Sequence, residues 1–357
     1  MTPPINDERG GSGVALRIGF FRSESMGAAI ARLAGLVLLL ALLALRVADP
    51  LFVSAIRNQG FDIFQRLHPR PSVEQPIAIV DIDEKSLEQV GQWPWPRSEV
   101  ARLIDRLTEM GAVVIGFDVV FAEPDRLSPD RIAADNPALP EAVRADLLKL
   151  PSNEEVLADS IKRSRVVVGE TSVRLDDQSL AGGERAIPDI PHAALGGDPT
   201  PFLLKFPRLV QNLPVISEAA IGHGLFTVEP DPDGIFRRVP LVMLVEDHMR
   251  LALSAEMLRI ATGGQAFATR TSEAGLEGIA VGGVFVPTDG NGRVWPWFNA
   301  SSRDRYVSAA SIMSGEAPAE RIAGHLVVVG TSAVGLEDFR ATPVATMPST
   351  ETAAKNE

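Results

Sequence analysis

The longest apolar run lies near the start of the chain. Gly27–Leu45 is interrupted only by Arg32, and Leu36–Leu45 is apolar on every face of a helix. At about 1.5 Å per residue this run is roughly 28 Å long, close to the thickness of a bilayer's hydrocarbon core. A buried core helix and a cleaved signal peptide are the rival readings. The residues that follow, Arg46-Val47-Ala48-Asp49-Pro50, offer no small-x-small cleavage site. The expectation is an uncleaved anchor over 26–47. Arg9, Arg17, Arg22 and Arg32 lie before or early in the run and Arg46 and Arg57 after it, which leans toward a cytoplasmic N-terminus. Residues 1–25 have no period and read as a disordered cytoplasmic tail. Leu51, Ile56, Phe61, Phe64 and Leu67 recur at near-helical spacing, and His68–Pro76 breaks the pattern, so 48–76 reads as stalk and linker.

The pattern then alternates between strand and helix. "IAIVDID" (77–83) is a short β-branched run ending in acids. Val100, Leu103, Ile104 and Leu107 follow the i, i+3, i+4, i+7 rule, with Ser98 as the expected cap, Glu99 in the first turn and Gly111 as the stop. "AVVIGFDVVF" (112–121) predicts a second buried strand, 154–164 a helix and "RVVVGE" (165–170) a third strand. The insert 122–148 reads as a flap with short helices. Strand–helix–strand order implies right-handed crossovers and a parallel sheet. Further on, 231–247 reads as turn then strand, 250–264 as a helix, 278–299 as an antiparallel meander, 308–315 as a short helix, and "HLVVVGTSA" (325–333) as a strand that re-enters the sheet. The expected fold is α/β, a mostly parallel sheet flanked by helices with a meander in the second half, preceded by one membrane helix.

Charge and composition narrow the chemistry. Among 357 residues the net charge is −12, and there is no cysteine. Nucleic acid is not an expected partner, because phosphate binding needs a basic face. Disulfides, thiolate metal sites and cysteine nucleophiles are excluded together. Asp81 and Asp83 end the first predicted strand and Asp118 lies in the second, where ligands gather at the carboxyl edge of a parallel sheet. Such acids bind a cation or polar ligand, or they cap the neighbouring loops and helices. "EPDPDG" (229–234) begins like a calcium loop, but Arg237 and Arg238 intrude and Pro240 stands where the last ligand belongs, so a tight turn is expected. Gly330 and Gly335 have phosphate-loop spacing, but Leu336 and Glu337 replace the Lys and Ser/Thr that would follow. The five histidines form no metal-binding pair, and no catalytic constellation is visible. No cofactor and no metal are expected.

The block "GQWPWPRSEV" (91–100) is the oddest stretch. Pro94 and Pro96 stiffen the backbone before the helix and hold Trp93 and Trp95 beside the acids of the first strand. Arg97 is placed to pair with Asp81, Asp83 or Asp118. Either the rings plug the sheet edge and Arg97 neutralises a buried acid, or these six residues wall a ligand pocket.

Taken together, 78–125, 219–242 ("AAIGHGLFTVEPDPDGIFRRVPLV") and 326–343 ("LVVVGTSAVGLEDFRATP") resemble the CHASE type-two family of extracytoplasmic sensory domains. The resemblance covers about residues 45–354. It implies a non-enzymatic sensory domain over 77–348 on the outer side of the cell membrane, recognising a small ligand or a periplasmic protein, with a homodimer among the expected states. Family members precede further membrane helices and an adenylate or guanylate cyclase, kinase or other output module. Here Glu351 and Ala354 match the family's usual ending while its glycine and histidine are replaced, within a C-terminal tail at 349–357. A stand-alone sensor and the N-terminal part of a cyclase or kinase receptor are therefore both open. A metal-dependent hydrolase using the acids is the reading from another class.

Overall fold

The computed structural model describes residues 26–71, 76–173, 189–299, 305–333 and 340–344. The tails at 1–25 and 349–357 and the loop carrying Gly335, Leu336 and Glu337 lie outside the described residues. The chain divides into two compact units, one up to Gly60 and one from Phe61.

In the first unit, α1 (Met26–Ala48) is followed by the first part of α2 (Leu51–Leu67). Gly27–Ala48 is long and apolar enough to cross a membrane and is not buried at all. Asp49 takes a positive φ of 38° ahead of Pro50. Arg57 closes on its carboxylate with bonds of 2.9 and 3.0 Å.

The second unit begins within α2. Chain order then gives β1 (Ile77–Ile82), α3 (Glu84–Val90), α4 (Arg97–Glu109), β2 (Val114–Phe117), α5 (Pro129–Asp135), α6 (Glu141–Leu147), α7 (Asn153–Lys162) and β3 (Val166–Val173). Next come β4 (His192–Leu195), β5 (Lys205–Phe206), β6 (Arg208–Val210), α8 (Pro214–Ala219), β7 (Gly222–Leu225), β8 (Val239–Pro240), β9 (Val242–Val245), β10 (His248–Leu251) and α9 (Leu253–Ala261). Last are β11 (Phe267–Ser272), β12 (Gly275–Val281), β13 (Val284–Pro287), β14 (Arg293–Val294), β15 (Tyr306–Ser308), α10 (Ala309–Ser314) and β16 (Leu326–Thr331).

The main sheet runs β15-β1-β16-β2-β3-β6, with β7 also on β3. Its neighbours are parallel except β6, which is antiparallel to β3. The last strand, β16, re-enters the sheet, as the sequence predicts, and the structure places it between β1 and β2. The meander is the sheet β13-β12-β11-β4, whose first three strands are antiparallel. The flap contains α5 and α6.

Side-chain alternation divides the main sheet into two faces. Val80 and Ile82 of β1, Phe117 of β2 and Val327 and Val329 of β16 pack with Val100, Leu103, Ile104 and Leu107 of α4 in one buried cluster. Each large aliphatic side chain buried there contributes about 1.5–3 kcal/mol. On the opposite face, Val114 and Val167 pack against Leu253, Met257 and Ile260 of α9. Glycines let α9 lie close: a Cβ at Gly224 would come within 2.4 Å of the Leu253 Cα, and one at Gly116 within 2.3 Å of the Met257 sulfur.

Several elements differ from expectation. The meander, expected over 278–299, runs instead from β11 to β13, and β14 pairs with β8 in a separate sheet. Ser98 lies inside α4 rather than capping it, because the proline ahead starts the helix at Arg97. The acids after β1 nucleate α3, a helix too short to show a period. Residues 248–251, expected in part as helix, form β10, a hairpin partner of β9 that ends where α9 begins.

Candidate functional site

At the carboxyl edge of the sheet, Asp81 alternates with Val80 and Ile82, so its carboxylate leaves the buried cluster and lies on the other face. The Ser332 hydroxyl donates to it at 2.7 Å. Burial pushes the Asp81 carboxyl up, the neighbouring charges of Asp83 and Glu84 add to the rise, and the Ser332 bonds oppose it. Asp81 stands in register with Gly330 of β16. Asp118 follows β2 directly and is exposed, with its N–H donating to the Val329 carbonyl at 2.9 Å. A Cβ at Gly330 would lie 3.9 Å from the Asp118 Cβ. Gly330, with no side chain, thus lies between Asp81 and Asp118 at the strand ends.

Asp83 has a different job. One of its oxygens accepts from the Ser86 N–H at 2.9 Å, the Ser86 hydroxyl at 2.6 Å and the Ser308 hydroxyl at 2.8 Å. It is the N-cap of α3. The Ser86 hydroxyl also accepts from the Ala310 N–H at 3.0 Å, so this cap joins α3 to the start of α10.

The tryptophan loop faces the buried cluster. Trp95 is 1% exposed, and its indole N–H donates to the Gly91 carbonyl at 2.8 Å. Trp93 is half-buried and packs edge-on against it, ring centroids 5.7 Å apart. The Trp93–Pro94 bond is cis. The Arg97 N–H is satisfied by Asp125 at 2.7 Å, so an acid from the flap caps α4. The buried Arg97 guanidinium donates to the Glu123 carbonyl at 3.3 Å and lies 4.8 Å from the Phe121 ring centroid. Its Nε has no partner among the described residues. Burial pulls its pKa down, while the charges of Asp125, Glu154 and Glu123 oppose that.

Of the six predicted site residues, the structure therefore brings Asp81 and Asp118 to one face. Trp93, Trp95 and Arg97 lie against the other, and Asp83 serves a helix start. Arg97 turns to the flap rather than to Asp81, Asp83 or Asp118: its N–H meets the Asp125 carboxylate and its guanidinium the Glu123 backbone carbonyl.

A second polar cluster was missed by sequence reasoning. The 229–234 segment does make a tight turn, with the Gly234 N–H bonded to the Asp231 carbonyl at 2.8 Å and a Gly234 φ of 82°. The two arginines that spoil the calcium pattern are the partners of its acids. Arg237 is fully buried and grips both oxygens of Asp62 at 2.7 Å, Asp231 at 2.9 Å and Asp233 at 2.7 Å. Arg238 pairs with Asp231 and lies 5.2 Å from the Trp295 ring centroid. The available signal was an arginine pair next to a D-x-D turn, but its third acid sits far upstream on α2.

One open cavity of about 650 Å³ is lined by Asp189, His192, Asp198, Asp247 and His248 among others. His248 Nδ1 lies 2.6 Å from Asp189. A smaller one of about 210 Å³ is lined by Glu229, Asp231, Arg238 and Arg293 with four apolar neighbours. None of the six predicted residues lines either. Among the described residues, no group of three or more His, Asp or Glu is placed to hold a metal ion.

A family model described as CHASE2 domain matches residues 36–356. No curated protein and no solved structure matches the chain.

Proposed function

The chain belongs to the CHASE2 domain family, a family of extracellular sensory domains, and from that premise we propose that it is a membrane-anchored sensor without an activity of its own. The observation that carries this reading is the order of parts: an unburied apolar helix of membrane-spanning length, then a sensory fold. In this reading α1 anchors the chain in the inner (cell) membrane and everything from residue 50 onward is extracytoplasmic. A small polar ligand or a periplasmic protein is recognised at the carboxyl edge of the sheet, where Asp81 and Asp118 flank Gly330. Trp93, Trp95, Arg97 and Asp83 hold the loop and helix starts that frame that edge.

Reporter fusions test the topology. Alkaline phosphatase fused after residue 340 is expected to be active and after residue 20 inactive; the reverse pattern overturns the reading. A second reading, the sensor of a cyclase or kinase receptor, is favoured by one contact. Arg66 of α2 donates to the Pro343 carbonyl at 2.8 Å, so the segment leaving the fold runs beside the helix that enters it.

A further inference from the structure

The last two turns of α2 bury the wrong residues for a helix on a water-soluble surface. Asp62 is 4% and Gln65 3% exposed, whereas Ile63 is 54%, Phe64 55% and Leu67 70% exposed. At about 100° per residue, Asp62 and Gln65 share one side of the helix and Ile63 and Leu67 the opposite side. The buried side is fully served. Asp62 holds Arg237, while Gln65 donates to the Pro296 carbonyl at 3.2 Å and accepts from the Phe298 N–H at 3.1 Å. A helix with polar groups paired inward and apolar groups outward needs an apolar medium on its outer side.

Aromatic side chains gather round the same two turns. Trp295 meets Phe61 edge-on at 4.8 Å, and the Trp297 indole N–H donates to the His68 carbonyl at 2.8 Å. Trp297 is 51% and Trp295 37% exposed. Arg66 and Arg70 are exposed beside them. An indole with its polar edge tied to backbone and its ring open, a second partly exposed indole nearby and arginines alongside are the chemistry of a bilayer's headgroup region. The chain also supplies the tether. Ile63 follows the end of the apolar span by only 15 residues, most of them within α2, so little chain separates this face from the membrane helix. The earlier part of α2, taken by itself, likewise exposes Leu51, Phe52 and Ile56.

We propose that the Ile63–Leu67 face of α2, with Trp295 and Trp297, rests in the headgroup region of the membrane that α1 crosses. The sensory fold is then held against the bilayer surface rather than standing off on a stalk. This rests on the anchored reading above, and the test separates the two.

The absence of cysteine makes single-cysteine variants clean probes. The full chain carrying Ile63→Cys, Leu67→Cys, Val37→Cys or Leu127→Cys is spin-labelled and reconstituted into vesicles of phosphatidylethanolamine and phosphatidylglycerol. Val37 lies within the apolar span, and Leu127 is an exposed position on the flap. Accessibility to oxygen relative to a water-soluble nickel chelate is expected to be several-fold higher at 63 and 67 than at 127, though below that at 37. Labels at 63 and 67 matching 127 while 37 stays in lipid overturn the membrane-surface proposal and leave the anchor standing. All four labels in water overturn both. Disulfide-linked dimers and spin–spin broadening at position 63 would assign the face to a second copy and overturn the proposal. In the cysteine-free chain, brominated lipids are expected to quench tryptophan fluorescence, and Trp295→Phe with Trp297→Phe to abolish that quenching. Undiminished quenching in the double variant, with only Trp93 and Trp95 left, overturns the assignment.

Discussion

At the scale of single residues, burial shifts Asp81 and His223 in opposite directions. Burial raises the Asp81 carboxyl, so the folded chain carries a penalty above the ordinary carboxylate range that fades as the pH falls. Asp81→Asn keeps an acceptor for Ser332 and removes the charge. Its thermal midpoint at neutral pH is expected to equal or exceed that of the wild type, with the gap closing in acid. A large drop at neutral pH would mean that the carboxylate is paired within the fold. His223 works the other way. Burial lowers its pKa and Arg250 adds to this, while Glu170, Glu256 and the Ser217 carbonyl oppose it. The ring is neutral when folded, and the unfolded chain takes up its proton near the ordinary value of 6.5. Stability attached to His223 is therefore lost as the pH falls below about 6.5. Denaturant unfolding at pH 7 and pH 5 is expected to show a smaller loss for His223→Gln than for the wild type; equal losses would remove His223 from the acid response.

At the scale of elements, the helices legible in the sequence are those whose packing face repeats. Val100, Leu103, Ile104 and Leu107 announce α4, and all four are buried. What starts α4 is not legible, because the acid that caps it, Asp125, lies 28 residues downstream in a flap with no pattern of its own. The seat of α9 is hidden for a related reason: nothing local to Gly116 or Gly224 says which helix will cover it. The two glycines are not equivalent. An added methyl at Gly224 meets the Leu253 backbone, which cannot turn aside, whereas at Gly116 it meets the flexible end of Met257. Gly224→Ala is expected to cost about 1–3 kcal/mol or more and Gly116→Ala clearly less, as chemical denaturation midpoints would show. The reverse order would mean that α9 shifts as a rigid body and that Met257, not Leu253, is its fixed point.

At the scale of the whole molecule, the re-entry of β16 was legible from one apolar run. The joining of the fold's entrance to its exit was not, because Arg237 and Asp62 are 175 residues apart and meet only in three dimensions. Around Arg237 the chain that enters at Phe61–Leu67 is bonded to the 231–238 turn. The Phe236 N–H donates to the Ala341 carbonyl at 2.8 Å, so the turn also holds the segment that leaves the fold. A sensor that must pass a signal toward a membrane needs its entering and leaving segments to respond together. One buried arginine shared among three carboxylates is a two-sided fastening of that kind. Removing one partner of a buried ion cluster costs about 3–5 kcal/mol, because the remaining charges stay behind without their match. Asp62→Ala is therefore expected to raise amide hydrogen exchange together in Phe61–Leu67, in 231–238 and at the 341 end. The amides of β1, β16 and β2 are expected to stay protected, since their core clusters do not involve Arg237. If exchange in those central strands rises as much, the cluster is part of one cooperative core rather than a separate fastening. If only α2 loosens, the turn does not couple entrance to exit, and a signal would have to leave the fold by another route.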